Sequence, residues 1–355
     1  MRAAPSGLSI IGMENALVNP LPHLDGALLR RLAGLHDDQG VVTVLAARGD
    51  ASATEIRSTL RRVGPELYTL AEEAAALADP HLEGAAHGFV ATRSTHETLR
   101  FTLAQPVKTL VTVASQVDLV PVARAFDATR PVGIVDARLD HVRIVEASDG
   151  DALELKGTVL STAHDWTEYR GPSRANPLRE QESSSQRERY DRRIAVQRAR
   201  GLVSAAEWIG KLARERRWCA IVIGGDAHAT GDLAARLPAA MRIDRHLPAW
   251  ESAGALVRAL ASELDAARRH ATAASVEAAL TRPAAFAIGV EAVRAAVADG
   301  RAHSVAVDGQ GLDRELEDLV RHCLGHGLEV VFADGLPAEL GSVICELHGT
   351  RRDLG

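Results

Sequence analysis

Aromatic residues are scarce in this chain: four Trp, three Tyr and five Phe make up 3% of its 355 residues. That argues against a nucleic-acid binder that stacks successive bases on aromatic platforms, so any RNA contact has to run through arginine and phosphate. Cysteine is equally thin. Cys219, Cys323 and Cys345 lie far apart and form no C-x-x-C, which argues against a disulfide framework or zinc site and fits a reducing compartment. All three are expected to be small core residues. No run reaches the ~18 apolar residues that a membrane span requires. The one apolar stretch near the N-terminus, Leu8 to Val18, is interrupted by Glu14 and Asn15, a poor match to a signal peptide. The expectation is a soluble, cytoplasmic protein.

What is present is aliphatic. With 46% apolar residues the chain can build packed cores, and Ala, Val, Leu and Ile must fill them. Its length favours two or three domains.

Residues 1–128 read as a first α/β domain. Leu28, Leu29, Leu32 and Leu35 recur at helical spacing within Leu24–His36. Val41–Ala46 is a β-branched run that predicts a buried strand. Residues 53–78 are helical with a division at Gly64-Pro65, and Gly88–Ala91, Leu99–Leu103 and Leu110–Val113 predict further strands. Asp118–Phe126 predicts a short helix.

Residues 129–270 read as a second domain. Val132–Asp136, Val142–Glu146 and Ala152–Leu160 predict an antiparallel meander. A polar loop, 161–185, carries Gly171, Pro172, Pro177 and the triple serine Ser183-Ser184-Ser185. Ser185-Gln186-Arg187-Glu188 then matches a capping box and announces a long helix over 185–217. Trp218–Ile223 predicts a strand and Trp250–His270 a second long helix. Residues 271–355 predict a third, small αβ domain. Its elements are a helix ending near Gly300, strands His303–Asp308, Leu328–Ala333 and Ser342–Leu347, and a helix over Leu312–His326. The fold class expected is α/β.

One segment departs from the rest. Between Arg170 and Arg200 stand nine arginines against four acids, a local net of +5 in a chain whose total is −6. A basic loop and helix start on an acidic body is the footprint of phosphate contact, and arginine grips phosphate with a planar fork. A solvated helix face with pairs such as Glu188–Arg192 is the plainer account. Arginines near a helix N-terminus oppose the macrodipole, a cost that an external anion relieves.

The order of three strands, a long polar loop, an arginine-rich helix and then W-C-A-I-V-I-G-G-D (218–226) resembles the central domain of archaeo-eukaryotic peptide-release factors. The stretches A-V-R-A-A-V-A-D-G-R-A-H-S-V-A-V-D (292–308) and H-G-L-E-V-V-F-A-D (326–334) are similar to their third domain. The bacterial branch of that family also carries a divergent N-terminal domain. The resemblance implies a ribonuclease-H-like central domain and a C-terminal αβ sandwich like that of ribosomal protein L7Ae. In the family, the loop before the long helix carries Gly-Gly-Gln, whose glycines let the backbone enter the peptidyl-transferase centre and whose glutamine places water. Here the loop reads R-G-P-S-R-A-N-P-L-R-E-Q-E-S-S-S (170–185). Gly171 precedes Pro172, and Gln181 and Gln186 lack flanking glycines. The resemblance therefore implies a ribosome-associated translation factor that occupies the A site without hydrolysis, of hibernation or rescue type, with no cofactor. The alternative is peptidyl-tRNA hydrolysis or RNA cleavage through an unconventional loop. Ribosomal RNA is the implied partner, with room for an elongation factor but none for a membrane or DNA. The residues implied in RNA binding are Arg170, Gly171, Arg174, Arg179, Arg187, Arg189, Arg192 and Arg193.

Two other constellations have competing readings. Asp136, Asp140, Glu146 and Asp149 could hold metal ions in a ribonuclease-H-like nuclease, although acids at strand ends are commonly turn residues. His322 and His326, four apart on a predicted helix, could share a metal, but the zincin glutamate is missing and structural histidines are the expectation. Gly224–Asp232 has glycines after a strand without the Lys-Ser/Thr of a P-loop, and a strand-to-helix turn accounts for it.

Overall fold

The computed structural model describes residues 23–64, 68–78, 87–105, 107–138, 140–148, 151–159, 180–310 and 312–348. The chain divides into two compact units, 1–125 and 126–355. No helix among the described residues is long and apolar enough to cross a membrane.

In the first unit helix α1 (Gly26–Ala33) leads into β1 (His36–Ala47), α2 (Asp50–Val63), α3 (Tyr68–Leu77), β2 (Gly88–Arg93), β3 (Thr98–Leu103) and β4 (Leu110–Gln116). The strands form one antiparallel sheet in the order β3-β2-β1-β4. Val42, Val44, Ala46, Phe89 and Ala91 alternate onto one face. They bury Ile56 and Leu60 of α2 together with Ala71 and Ala74 of α3, with Ile56 and Leu60 contributing about 1.5–3 kcal/mol each. The β1 end is tied down by Asp37, which accepts from Gln39 N–H (2.9 Å) and from both the backbone N–H and the hydroxyl of Thr95 (2.6 Å each). These bonds, the Thr95 hydroxyl first, hold its carboxyl down at about 2.

Helix α4 (Val120–Asp127) leads into the second unit. There β5 (Val132–Ala137), β6 (His141–Ser148) and β7 (Asp151–Val159) form the expected antiparallel meander. Next come α5 (Glu180–Glu215), β8 (Ala220–Gly225), α6 (Ala227–Ala234) and β9 (Arg242–Asp244), then α7 (Ala253–Ala259) and α8 (Ala261–Thr281). The sheet order is β7-β6-β5-β8-β9, with β5, β8 and β9 parallel. Helices cover both faces. On one side Val135, Ala137, Val142, Ile144, Ile221 and Ile223 meet Leu202, Ala205 and Ile209 of α5. On the other, Val132, Ile134, Val145, Val222 and Ile243 meet Leu256, Leu260 and Leu264. Successive strand residues thus enter opposite cores, as the period of two requires.

A second sheet, β10-β13-β11-β12, is built from β10 (Phe286–Ile288), β11 (Ala302–Asp308), β12 (Glu329–Ala333) and β13 (Val343–Leu347). Helices α9 (Val290–Ala298) and α10 (Arg314–Gly325) also belong to it.

Three expectations are corrected. The long helix begins at Glu180, so Ser185 lies inside it. Glu180, Gln181 and Glu182 favour helix, and acids suit the positive N-terminal end, which outweighs a four-residue capping pattern. The helix expected over Trp250–His270 is two, parted at Leu260, with Ser252 accepting from Ala255 N–H at the start of the first. The second then runs unbroken past His270, the expected end of the helix, to Thr281. It packs Leu264 and Ala267 into the five-stranded sheet's core and Val276 and Ala279 into that of the four-stranded sheet.

Candidate nucleic-acid interface

Helix α5 fixes the candidate surface by its phase. Leu202, Ala205, Ala206, Ile209 and Ala213 are buried, which sets the inward side. At 100° per residue, positions 193, 196 and 200 point away from that side and 192 lies on one flank, whereas 198 falls toward the inward side and 194 on the other flank. The exposures agree: Arg192, Arg193, Val196 and Arg200 are exposed, and Ile194, Arg198 and Gly201 are half-buried. From residue 192 to residue 201 no side chain is buried.

The arginines of the basic segment are therefore not one cluster. Arg192, Arg193 and Arg200 share a face, and none of them has an ion pair among the described residues. Arg198 turns toward the β5–β6 hairpin. There Asp140's carboxyl, raised by burial, ends below its ordinary value through the hydrogen bond to His141 and the charge of Arg198. Arg170, Gly171, Arg174 and Arg179 lie outside the described residues.

The outward face continues beyond the expected set. Arg193, Arg200 and Arg214 sit at multiples of seven residues, about two turns each, with Lys211 one turn before Arg214. Arg214 and Lys211 are exposed, Lys211 within 3.7 Å of Glu215. Glu207 occupies the remaining position of this series. The line of cations from Arg193 to Arg214 is about 32 Å long at 1.5 Å per residue. The seven-residue spacing was available in the sequence, but it carries meaning only once the helix phase is known.

The carboxylates of the nuclease alternative are not brought together. Asp136 projects from β5 to the α8 side of the sheet. Its Oδ1 lies 2.7 Å from Arg138 Nε, and its Oδ2 accepts from Trp250 Nε1–H at 3.0 Å. Glu146 projects from β6 to the opposite side, accepting from Trp218 Nε1–H (2.7 Å) and Arg216 (3.1 Å). Each is neutralised in place, and the sheet separates them. Asp140 is on the exposed hairpin turn, and Asp149 lies outside the described residues. Among the described residues no three His, Cys, Asp or Glu side chains are placed to share a metal. The His322 and His326 rings lie tilted at 57° with centroids 4.4 Å apart, and His326 Nδ1 lies 2.9 Å from the His322 carbonyl.

An open cleft of about 440 Å³ lies past the carboxyl ends of β8 and β9, lined by Gly224, Gly225, Thr230, Gly231, Asp244, Arg245 and His246. Its glycines answer to packing. Gly225 has φ +123°, and a side chain there would run into the Ala137 carbonyl; one at Gly224 would meet the Arg245 carbonyl and Leu247. Asp226 caps α6, accepting from the N–H groups of His228 and Ala229. This is the strand-to-helix turn that the sequence suggested.

Compared with known proteins, residues 118–269 match the bacterial archaeo-eukaryotic release factor family 10. The likeness to the bacterial branch of that family is thus borne out over the span from the start of α4 into α8. The likeness expected for residues 271–355 lies beyond it. No curated protein matches. Among solved structures, the chain is similar to the archaeal translation termination factor aRF1, with 14% identity over 92% of this chain and 99% of that one and a TM-score of 0.27. It is also similar to ribosome-bound archaeal Pelota (10%, 92% and 95%, TM-score 0.38). A third is S. cerevisiae Dom34, a translation termination-like factor (10%, 75% and 81%, TM-score 0.34). Likenesses this distant carry no argument about function.

Proposed function

We propose that this chain, release-factor-like over residues 118–269, is a cytoplasmic translation factor that binds the ribosomal A site and blocks it without hydrolysis. The observation that carries the reading is the outward face of α5. Arg192, Arg193 and Arg200 stand there exposed and without ion pairs among the described residues, off the face that packs on the sheet. Such a row offers phosphate a set of forked donors whose desolvation the protein has not already spent on its own carboxylates. Arg170, Gly171, Arg174, Arg179, Arg187 and Arg189 extend the same contact in this reading. The absence of Gly-Gly-Gln from the sequence favours occupation over peptide release, and the opposed placement of Asp136 and Glu146 speaks against the nuclease alternative. The order β7-β6-β5-β8-β9, a meander followed by two parallel strands, supports a ribonuclease-H-like central domain, with the sheet from β10 to β13 as the L7Ae-like partner. Domains at 1–128, 129–270 and 271–355 belong to the same reading, as does an elongation factor as a second partner.

The test is co-sedimentation with 70S ribosomes at several salt concentrations, wild type beside R192E/R193E/R200E. Wild type should sediment with ribosomes at low salt and leave them as salt rises. Loss of three phosphate contacts should flatten the log–log salt slope by about 2 to 3. Wild type that stays in the supernatant at low salt sinks the reading. Peptide released from peptidyl-tRNA would favour the hydrolase alternative instead.

A further inference from the structure

The two sheets of the second unit meet at a buried carboxylate. Strand β12 is the last strand of the four-stranded sheet, paired on one side only, in parallel, with β11. Its other edge would leave backbone N–H groups without partners, a cost that proteins meet by covering the edge. Asp127 covers it: Oδ2 accepts from Phe332 N–H at 2.9 Å, across 205 residues of sequence. Its other oxygen lies 2.6 Å from Arg130 Nε. Arg130 in turn donates to the Thr272 hydroxyl (2.9 Å) on α8 and approaches Glu329 of β12 at 3.9 Å, and Arg268 of α8 donates to the Arg130 carbonyl at 2.9 Å.

Beyond the ion pair to Arg130, three residues on, nothing local accounts for Asp127. It is the last residue of α4, where a carboxylate opposes the helix dipole. Burial pushes its carboxyl above the ordinary value against the pull of Arg130 and the Phe332 amide. A side chain that breaks the local preference and is desolvated as well is held by its tertiary partners, and all of these sit at the junction of the two sheets. The other structure joining them is α8, whose two halves belong to different cores. Near the midpoint of α8, the Thr272 hydroxyl also bonds back to the Arg268 carbonyl at 3.2 Å, a bond that favours bending there.

We propose that Asp127 is a clasp. Its carboxylate on the free edge of β12 holds the four-stranded sheet in one orientation on the five-stranded sheet. Releasing it lets the small sheet swing about the middle of α8 with both sheets still folded. The clasp would set the angle at which the second unit presents itself to any partner, and it does not depend on the ribosomal reading.

The experiment places spin labels at the exposed positions D232C and E291C, on α6 and α9, in the full chain. Dipolar spectroscopy then compares the native clasp with D127A. The native chain should give one narrow distance distribution. The variant should give a broadened or doubled one, with hydrogen exchange at the Phe332 amide at least tenfold faster and unchanged protection in β11 and β8. A distribution as narrow in D127A as in the native chain overturns the proposal. Should D127A fail to fold, D127S, whose shorter side chain does not reach the Phe332 amide, is read the same way.

Discussion

Trp218 packs directly against Gly133. The indole occupies the space that a Cβ on β5 would take, and its Nε1–H donates to Glu146 Oε2 on the neighbouring strand at 2.7 Å. One glycine without a side chain, one buried ring and one buried carboxylate thus form a single packing unit where α5 hands over to β8. Arg216 completes it with a 3.1 Å contact to the other carboxylate oxygen.

Two substitutions test that unit by different routes. Gly133→Ala forces a methyl into the ring and should cost about 1–3 kcal/mol, the usual range for overpacking. Glu146→Ala leaves the indole N–H buried without an acceptor, at about 1–3 kcal/mol. Because both act on the same ring, the double variant should lose less than the two single losses added together. Chemical denaturation of the three variants checks this, and strict additivity would show that the residues act separately.

Asp37 makes a prediction about acid. Its folded value, about 2, lies below the ordinary 3.8, so the folded state favours the carboxylate. That contribution is fully present above about pH 4 and is lost as pH falls toward 2. Asp37→Asn should therefore lower the melting temperature of the first unit at neutral pH, and its difference from wild type should shrink between pH 4 and pH 2. A difference that does not vary over this range would show that Asp37 acts by shape alone.

The strands that the sequence made legible are those whose residues leave no alternative. Val132–Asp136, Val142–Glu146 and Trp218–Ile223 are β-branched runs that both faces of one sheet bury. Arg242–Asp244 and Phe286–Ile288 escaped because a three-residue strand has no periodicity of its own. Ile243 is a strand residue because Val222 pairs with it. The basic segment was visible as composition, but which arginines share a face depends on the phase set by Leu202, Ala205 and Ile209. The Asp127–Phe332 contact had no local trace at all, since its two halves are 205 residues apart.

The cysteines were expected in the core, and two of them are buried there. Cys219 is half-buried against the core beside β8. Burial pushes Cys323 up to about 12 and Cys345 up to about 11, so neither carries appreciable thiolate near neutrality, and the thiolate is the reactive form. At pH 8 an aromatic disulfide reagent should leave both untouched in the folded protein and modify all three thiols in guanidinium. Fast modification of Cys323 without denaturant would mean that α10 opens locally.

The outward face of α5 makes the last prediction, because it separates binding from folding. Arg192, Arg193 and Arg200 are exposed, so reversing their charge should change stability by no more than about 0.5 kcal/mol each. Arg198 lies on the other side of the helix, half-buried with its Nε out of reach of solvent. Arg198→Glu would place a carboxylate near Asp140, and should lower the melting temperature where Arg200→Glu does not. In ribosome co-sedimentation the order should invert: Arg200→Glu weakens binding, and the milder Arg198→Gln leaves it unchanged. If Arg198→Gln weakened binding as much as Arg200→Glu, contact would depend on the total charge of the segment, and the phase of the helix would have no part in it.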